Sequence, residues 1–298
     1  MFAKEITDTE RRQNSMITRL KDYSLLMKLR LTWLVVFSAV VSYLMGAKNP
    51  DWTTGLMLTL GGFLVTGSSN AFNQIIEKDL DKMMSRTENR PMPKERLKQL
   101  EALVFSSVCG LVGVAILWVY TNPLCGMLGL AALLSYVAIY TPLKRKTPFA
   151  VFVGAFPGAI PPLLGWVAAT GELDKGLILF AIQFIWQFPH FWSIAWVLDE
   201  DYKKAGFFML PAADGRSKTS ALQILIYTTG IIPIGLLPYM FNMAGIVSAV
   251  IVTLTGIYFM LKAVKLLNTC EVTDARKLMF ASFVYLPIVQ LALMFDKL

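Results

Sequence analysis

Nine apolar runs, each roughly 17–25 residues long, constrain this chain more than anything else in it. They fall at approximately 31–47, 54–75, 101–121, 123–141, 148–169, 176–197, 220–240, 243–266 and 278–295. Lipid offers no partner to a backbone N–H or C=O, so runs of this length cross a bilayer as helices. Composition agrees: 55% of the 298 residues are hydrophobic and 16% are charged, where a soluble domain carries about a quarter charged residues. The expected fold is an all-α polytopic membrane protein, with nine transmembrane helices around a central cavity. The first residues (Lys4, Glu5, Asp8, Glu10, Arg11, Arg12) are polar and mixed in charge. They contain no apolar run and no cleavage site, so no signal peptide is expected. Residues 1–27 read as a cytoplasmic segment and 28–298 as one nine-helix domain.

Charge orients the bundle. All but three of the 28 Lys and Arg residues lie in the N-terminal segment or around connections 2–3, 4–5, 6–7 and 8–9. Lys48, Lys175 and Lys297 fall on the other side. The positive-inside rule then places the N-terminus in the cytoplasm and the C-terminus outside, as an odd span count requires. The net charge of +8 is thereby a matter of topology, and no nucleic-acid partner is expected. Cys109, Cys125 and Cys270 have no metal-ligand spacing and suggest no disulfide framework.

Ionisable residues at the edge of an intramembrane cavity call for a functional reason. The second span ends in Asn73-Gln74-Ile75-Ile76-Glu77-Lys78-Asp79-Leu80-Asp81. Asn73, Glu77 and Asp81 recur every four residues, which on a helix puts them on one face within about 80° of arc, with Asp79 pointing away. Three convergent oxygen side chains suit a hard cation such as Mg²⁺. Arg86-Thr87 and Arg90-Pro91 follow closely, and arginine suits a phosphate partner. The alternative is a solvated helix end with ordinary charges.

Three more segments stand out. Asp199-Glu200-Asp201-Tyr202-Lys203-Lys204 follows the sixth span, four spans after the first acidic string. This echo suggests two similar halves facing one cavity. Asp199–Lys203 and Glu200–Lys204 have the spacing of plain helix pairs; Asp201 lacks such a partner and is the best candidate ligand of the group. Tyr140-Thr141-Pro142-Leu143-Lys144-Arg145-Lys146-Thr147 reads as a defined turn carrying a basic cluster. Gln187-Phe188-Pro189-His190-Phe191-Trp192 holds the chain's single histidine within the sixth span. A membrane histidine of this kind is either a hydrogen-bonded packing residue or a substrate contact.

Together these segments, from about Lys28 to Pro211, resemble the UbiA superfamily of intramembrane prenyltransferases, and within it the branch that farnesylates haem. Asn73-x-x-x-Glu77-x-x-x-Asp81 with Arg86-Thr-x-x-Arg90-Pro is similar to the first aspartate-rich motif in its haem-directed form. Tyr140–Thr147 is similar to the family's cytoplasmic loop. Gln187-x-Pro-His-Phe-Trp192, Asp201-Tyr-x-x-Ala-Gly206 and Met209-Leu-Pro211 resemble the haem-specific region, and Gly158–Trp166 also matches. Glu77 stands where many members carry Asp. Tyr202 replaces a final aspartate of the second motif, and Lys28-Leu29-Arg30 stands where a Lys-Pro-Arg-like string is usual.

The resemblance implies transfer of the farnesyl group of farnesyl diphosphate to a vinyl group of haem B, with water added, giving haem O and diphosphate. It implies Mg²⁺ on Asn73, Glu77, Asp81 and Asp201, and phosphate contacts from Arg86, Arg90, Lys144, Arg145 and Lys204. Haem contacts would come from His190, Trp192 and Tyr202. The implied setting is a bacterial inner membrane with the site facing the cytoplasm, and the implied downstream partners are a haem A synthase or a terminal-oxidase assembly. A transporter, the main rival from another class, would place its ionisable residues at the membrane midplane on broken helices. Here they gather at one edge.

Overall fold

The computed structural model describes residues 16–298, so the acidic and basic residues between Lys4 and Arg12 lie outside the described residues. Every regular element described is helical, apart from one isolated bridge between Ala244 and Lys297. A helix over residues 16–26 (α1) precedes α2 (Leu29–Gly46), α3 (Trp52–Ile76), the short α4 (Lys78–Asp81) and α5 (Gln99–Tyr120). The next rod is composite: α6 (Pro123–Leu134), a π-helical turn (Ser135–Tyr140) and α7 (Thr141–Leu143). Then come α8 (Ala150–Thr170), α9 (Gly176–Val197), the short α10 (Asp199–Lys204), α11 (Lys218–Gly235) with α12 (Leu237–Met240), α13 (Ile246–Thr269) and α14 (Val272–Phe295).

Nine long rods therefore stand among the described residues. Eight are long and apolar enough to cross a membrane. The exception is α3, whose 25 residues are long enough. Its C-terminal half carries Thr66, Ser68, Ser69, Asn70, Asn73 and Gln74, and of these Ser68, Ser69, Asn70, Asn73 and Gln74 are buried. α3 is sheltered instead by α2, α5 and α6. Its contact with α5 is close because the residues there are small: a Cβ on Gly113 would come within 2.9 Å of the Val65 backbone nitrogen. Across the same seam Ser68 Oγ donates to the Ser106 carbonyl at 2.7 Å. Helices in lipid associate through such close packing and interhelical hydrogen bonds.

The apolar core among the described residues forms three clusters, the smallest of them (Leu26, Ala71, Ile75, Met92, Leu97 and Ala102) where α1 meets α3 and α5. Of the other two, Leu58, Val65, Leu117 and Leu133 lie in the first, between α2, α3, α5, α6 and α8. Phe188, Trp196, Ile224, Phe259 and Leu278 lie in the second, between α9, α11, α13 and α14. α8 contributes to both, with Leu163 and Leu164 in the first and Val151 and Trp166 in the second.

The two halves repeat one local device. α3 stops at Glu77 (φ −93°, ψ 10°) and α9 stops at Leu198 (φ −102°, ψ 13°), and each is followed at once by a short acidic helix. The i→i−4 bond still crosses each break: Asp81 N–H donates to the Glu77 carbonyl at 2.8 Å, and Tyr202 N–H to the Leu198 carbonyl at 3.0 Å. The echo in the sequence is thus an echo in backbone geometry.

Candidate active site

Asn73, Glu77 and Asp81 are all buried. The helix expected to carry them is interrupted at Glu77, yet the bond across the break keeps their register. Asp79 points away, as the spacing demands, and pairs with Lys82 at the surface.

Each member of the trio faces a cation. Lys28 Nζ donates to Asn73 Oδ1 at 3.2 Å. Lys144 Nζ donates to Glu77 Oε1 at 2.8 Å, with both groups buried. A single Arg90 nitrogen, NH1, reaches both Asp81 carboxylate oxygens, at 3.0 and 2.8 Å. Three cations against two carboxylates leave the pocket net positive. Two such pairs out of water are costly unless they are well matched or something else uses them. Burial pushes the Lys28 amine down to about 7; the Arg90 and Lys144 charges add to the shift, and Glu77 and Asp81 oppose it. For Lys144, burial also lowers the pKa, but the Glu77 carboxylate wins and holds it above the ordinary lysine value.

Lys28 was not among the site residues expected from the sequence, where Lys28-Leu29-Arg30 stands out only for replacing a Lys-Pro-Arg-like string. One local feature could have marked it, an amine abutting an apolar run; its approach to the end of α3 is a tertiary matter. It adopts a left-handed conformation (φ 51°) between α1 and α2.

Tyr140–Leu143 is not the turn anticipated. The helix runs on through a π-turn and α7, then turns only at Lys144–Lys146. The wide turn is closed by the Thr141 N–H on the Tyr136 carbonyl, to which Thr141 Oγ1 also donates at 2.9 Å while accepting from Asn73 Nδ2 at 3.4 Å. π-turns often occur at functional sites, and this one directs Thr141 and Lys144 at the trio. The Lys144 ammonium also lies 4.7 Å from the Tyr140 ring centroid, within cation–π range.

The second acidic string sits beside the first motif without joining the trio. Asp201 accepts from Ser85 Oγ at 3.0 and 2.9 Å, from the Arg86 N–H at 3.3 Å and from Lys204 Nζ at 3.0 Å. Lys204 and Ser85 hold its carboxyl below the usual carboxylate range. Asp201 was expected to lack a lysine partner; Lys204, three residues on rather than four, supplies one. Glu200 pairs instead with Arg216 at 3.1 Å, and Asp199 with Lys203 at 2.7 Å. Among the described residues no group of three or more His, Cys, Asp or Glu side chains is gathered as a metal site. The side chains of Arg86 and Arg145 are exposed at the same end of the bundle. The loop after α10 closes over this end, where Phe208 N–H donates to the Lys144 carbonyl at 3.2 Å.

His190 lies elsewhere on α9. Its Nδ1 meets Ser282 Oγ at 2.8 Å, and its ring stacks on Trp186 with centroids 4.3 Å apart. Trp192 faces the opposite neighbour, with its ring 5.0 Å from that of Tyr227. Tyr202 packs edge-on to Phe207 at 6.0 Å. The three residues expected to hold haem therefore do not form one contact set.

A multi-pass helical bundle that gathers acids, an amide and facing cations at one end has the frame of an intramembrane enzyme. Comparison with known proteins makes the class specific: the chain belongs to the UbiA prenyltransferase family, whose pattern matches residues 34–285. It is 48% identical, over 95% of its own length and 100% of the relative's, to a protoheme IX farnesyltransferase of Cytophaga hutchinsonii. Identity to the protoheme IX farnesyltransferase of Christiangramia forsetii is 46%, over 93% and 94% of the two chains. The fold is similar to that of a digeranylgeranylglyceryl phosphate synthase (TM-score 0.79, 21% identity, 94% and 98% of the chains covered). It is also similar to a UbiA homolog from Archaeoglobus fulgidus bound to GPP and Mg²⁺ (TM-score 0.70, 14% identity, 92% and 99% covered).

Proposed function

We propose that this chain transfers the farnesyl group of farnesyl diphosphate to a vinyl group of haem B, with addition of water, giving haem O and diphosphate. The observation that carries this reading is the identity of nearly half, end to end, with a protoheme IX farnesyltransferase. The buried pocket supplies the chemistry such a transfer needs.

The allylic C1–O bond breaks with its electron pair going to the diphosphate, so negative charge grows on the leaving oxygens. Fixed positive groups aimed at those oxygens stabilise that charge. Lys28, Lys144 and Arg90 are already clustered for this role, Lys144 buried and Lys28 and Arg90 half-buried, with Arg86, Arg145 and Lys204 at the rim. The vinyl carbon then bonds to farnesyl C1, water bonds to the cation left on the haem side chain, and a proton leaves from that water. The apolar walls keep water from the allylic cation before transfer. Tyr140 lies close enough to the site to contribute through its ring face.

The donor set fits a hard divalent cation: an amide oxygen and two carboxylates on one helix face, each now facing an ammonium or guanidinium. Asn73, Glu77 and Asp81 would hold Mg²⁺, with Asp201 completing the set through the adjoining loop; bound there, the ion supplies further charge neutralisation at the phosphates. The support is this donor chemistry, together with the Mg²⁺ and GPP held by a neighbour of the same fold. With the ion held there, Lys28, Lys144 and Arg90 would be free to turn from Asn73, Glu77 and Asp81 to the phosphate oxygens.

We place residues 28–298 as one domain in a bacterial inner membrane, with the site facing the cytoplasm and nine crossings including α3. Haem contacts from His190, Trp192 and Tyr202 remain part of this reading, each on a different neighbour. The product would pass to a haem A synthase or a terminal-oxidase assembly.

The test is turnover by the purified protein in detergent with haem B, farnesyl diphosphate and Mg²⁺, read by mass spectrometry with and without EDTA. A hydrated, farnesylated haem formed only with the metal is the expected result. Metal-dependent diphosphate release onto another acceptor, such as a quinone precursor, would keep the family and discard haem.

A further inference from the structure

We infer that Gln74, Asn70 and Thr32 are positioning residues for the reaction, acting through Lys28. They form a clamp that fixes the left-handed turn carrying Lys28 and so aims its amine into the site.

α1 ends against α3, and its last carbonyls run short of partners within the helix, Leu25 accepting locally only a long bond from the Lys28 N–H at 3.3 Å. Gln74 Nε2 donates to two of them, the Leu25 carbonyl at 2.9 Å and the Leu26 carbonyl at 2.8 Å. The Met27 carbonyl accepts from Thr32 Oγ1 at 2.7 Å and from Asn70 Nδ2 at 3.4 Å, and Asn70 Nδ2 also donates to Thr32 Oγ1 at 3.2 Å. Beneath this corner Gly67 admits the Met27 side chain, whose Cε would lie 2.2 Å from a Cβ there. Gly67, Asn70 and Gln74 follow one another along α3 at i, i+3 and i+7, the stripe beside Asn73 and Glu77.

The residue so fixed is Lys28, at φ 51°. A left-handed residue after a helix is ordinarily glycine. A lysine there persists only where its surroundings over-determine it. Gln74 bears a cost of its own: it is fully buried, and its Oε1 has no hydrogen-bond partner. An amide that leaves its oxygen orphaned to serve two carbonyls is oriented for donation. What the clamp secures is the direction of the Lys28 chain, whose amine ends 3.2 Å from Asn73 Oδ1. The second residue of the string Asn73-Gln74 thus works outward, toward the helix that presents the cation, while the first works inward.

This rests on the reading that Lys28 meets the diphosphate, and the experiment separates the two. Binding of farnesyl thiodiphosphate with Mg²⁺ is measured on the full-length protein in detergent, for Gln74→Leu, Thr32→Val and Thr32→Ser, each alone and combined with Lys28→Met. If the clamp acts through Lys28, Gln74→Leu and Thr32→Val each weaken binding by ~10-fold with Lys28 present and by less than ~2-fold in Lys28→Met, while Thr32→Ser stays near wild type. In turnover the loss falls on KM for farnesyl diphosphate and leaves KM for haem unchanged. Equal losses in both backgrounds, or no loss where Lys28→Met itself weakens binding, overturn the inference. Unchanged binding in Lys28→Met overturns the reading beneath it. Should Gln74→Leu fail to fold, the Thr32 series carries the same comparison.

Discussion

Asp81 is fully buried, and both its oxygens are held by one Arg90 nitrogen. A substitution there therefore acts twice. Asp81→Asn removes a hard ligand and strands a guanidinium, so turnover is expected to fall at least ~100-fold and stability by about 3–5 kcal/mol. Asp81→Asn with Arg90→Gln recovers most of the stability and none of the activity; thermal unfolding and turnover on the same samples separate the two effects. His190 predicts a different pattern. It is locked between Trp186 and Ser282, away from the ionic pocket. His190→Ala should lower haem-dependent turnover by more than ~10-fold while binding of farnesyl thiodiphosphate stays within ~2-fold of wild type. A matched loss of both would count against a haem role.

Close helix approach sets the next level of sensitivity. A Cβ on Gly165 of α8 would stand 1.9 Å from the Ala39 carbonyl oxygen of α2, a backbone atom that cannot swing aside. Gly165→Ala is expected to cost about 1–3 kcal/mol. Gly230→Ala on α11, where nothing lies within 4 Å, is expected to be neutral or slightly stabilising; unfolding of both variants in one detergent tests the contrast. The loop after α4 is tied to α10 through Ser85 and Asp201. Ser85→Ala should raise hydrogen exchange across residues 83–90 and KM for the prenyl diphosphate several-fold, with little change in stability. Elements and trio alike were legible in the sequence, because apolar length and an i, i+4, i+8 register are local signals. The π-turn was not: its defining bond, Thr141 N–H to the Tyr136 carbonyl, is seconded by the Thr141 hydroxyl, and neither leaves a mark in the apolar pattern. Nor was Lys28, whose position depends on side chains from α3, more than 40 residues away.

On the scale of the whole molecule, α1 packs at the start of α2, while Lys297 Nζ donates to the Leu44 and Ala47 carbonyls at its far end. The two chain ends described therefore lie at opposite ends of the bundle, in keeping with an odd number of crossings. In a background without reactive cysteines, Lys82→Cys should label from the cytoplasm and Lys48→Cys from outside; the reverse pattern would invert the proposed orientation. The halves, each closing a long helix with a break and a short acidic one, meet at one end of the bundle, where Asp201 accepts from Ser85 and the Arg86 N–H. Their unequal outcome, a buried trio on one side and a paired Asp201 on the other, has no local marker in the sequence.

The helix that bears the trio is also the one least able to enter lipid by itself. Of the nine rods, α3 alone lacks the apolarity to cross unaided, because its polar residues are spent on the site and on its neighbours. If α3 crosses as proposed, its insertion is expected to depend on α5, which gives Ser68 and Gly61 their partners. A nascent chain halted after α3 should insert that segment poorly, and one halted after α5 should insert both. On that expectation, chemistry at one end of a helix sets the order in which the membrane accepts it.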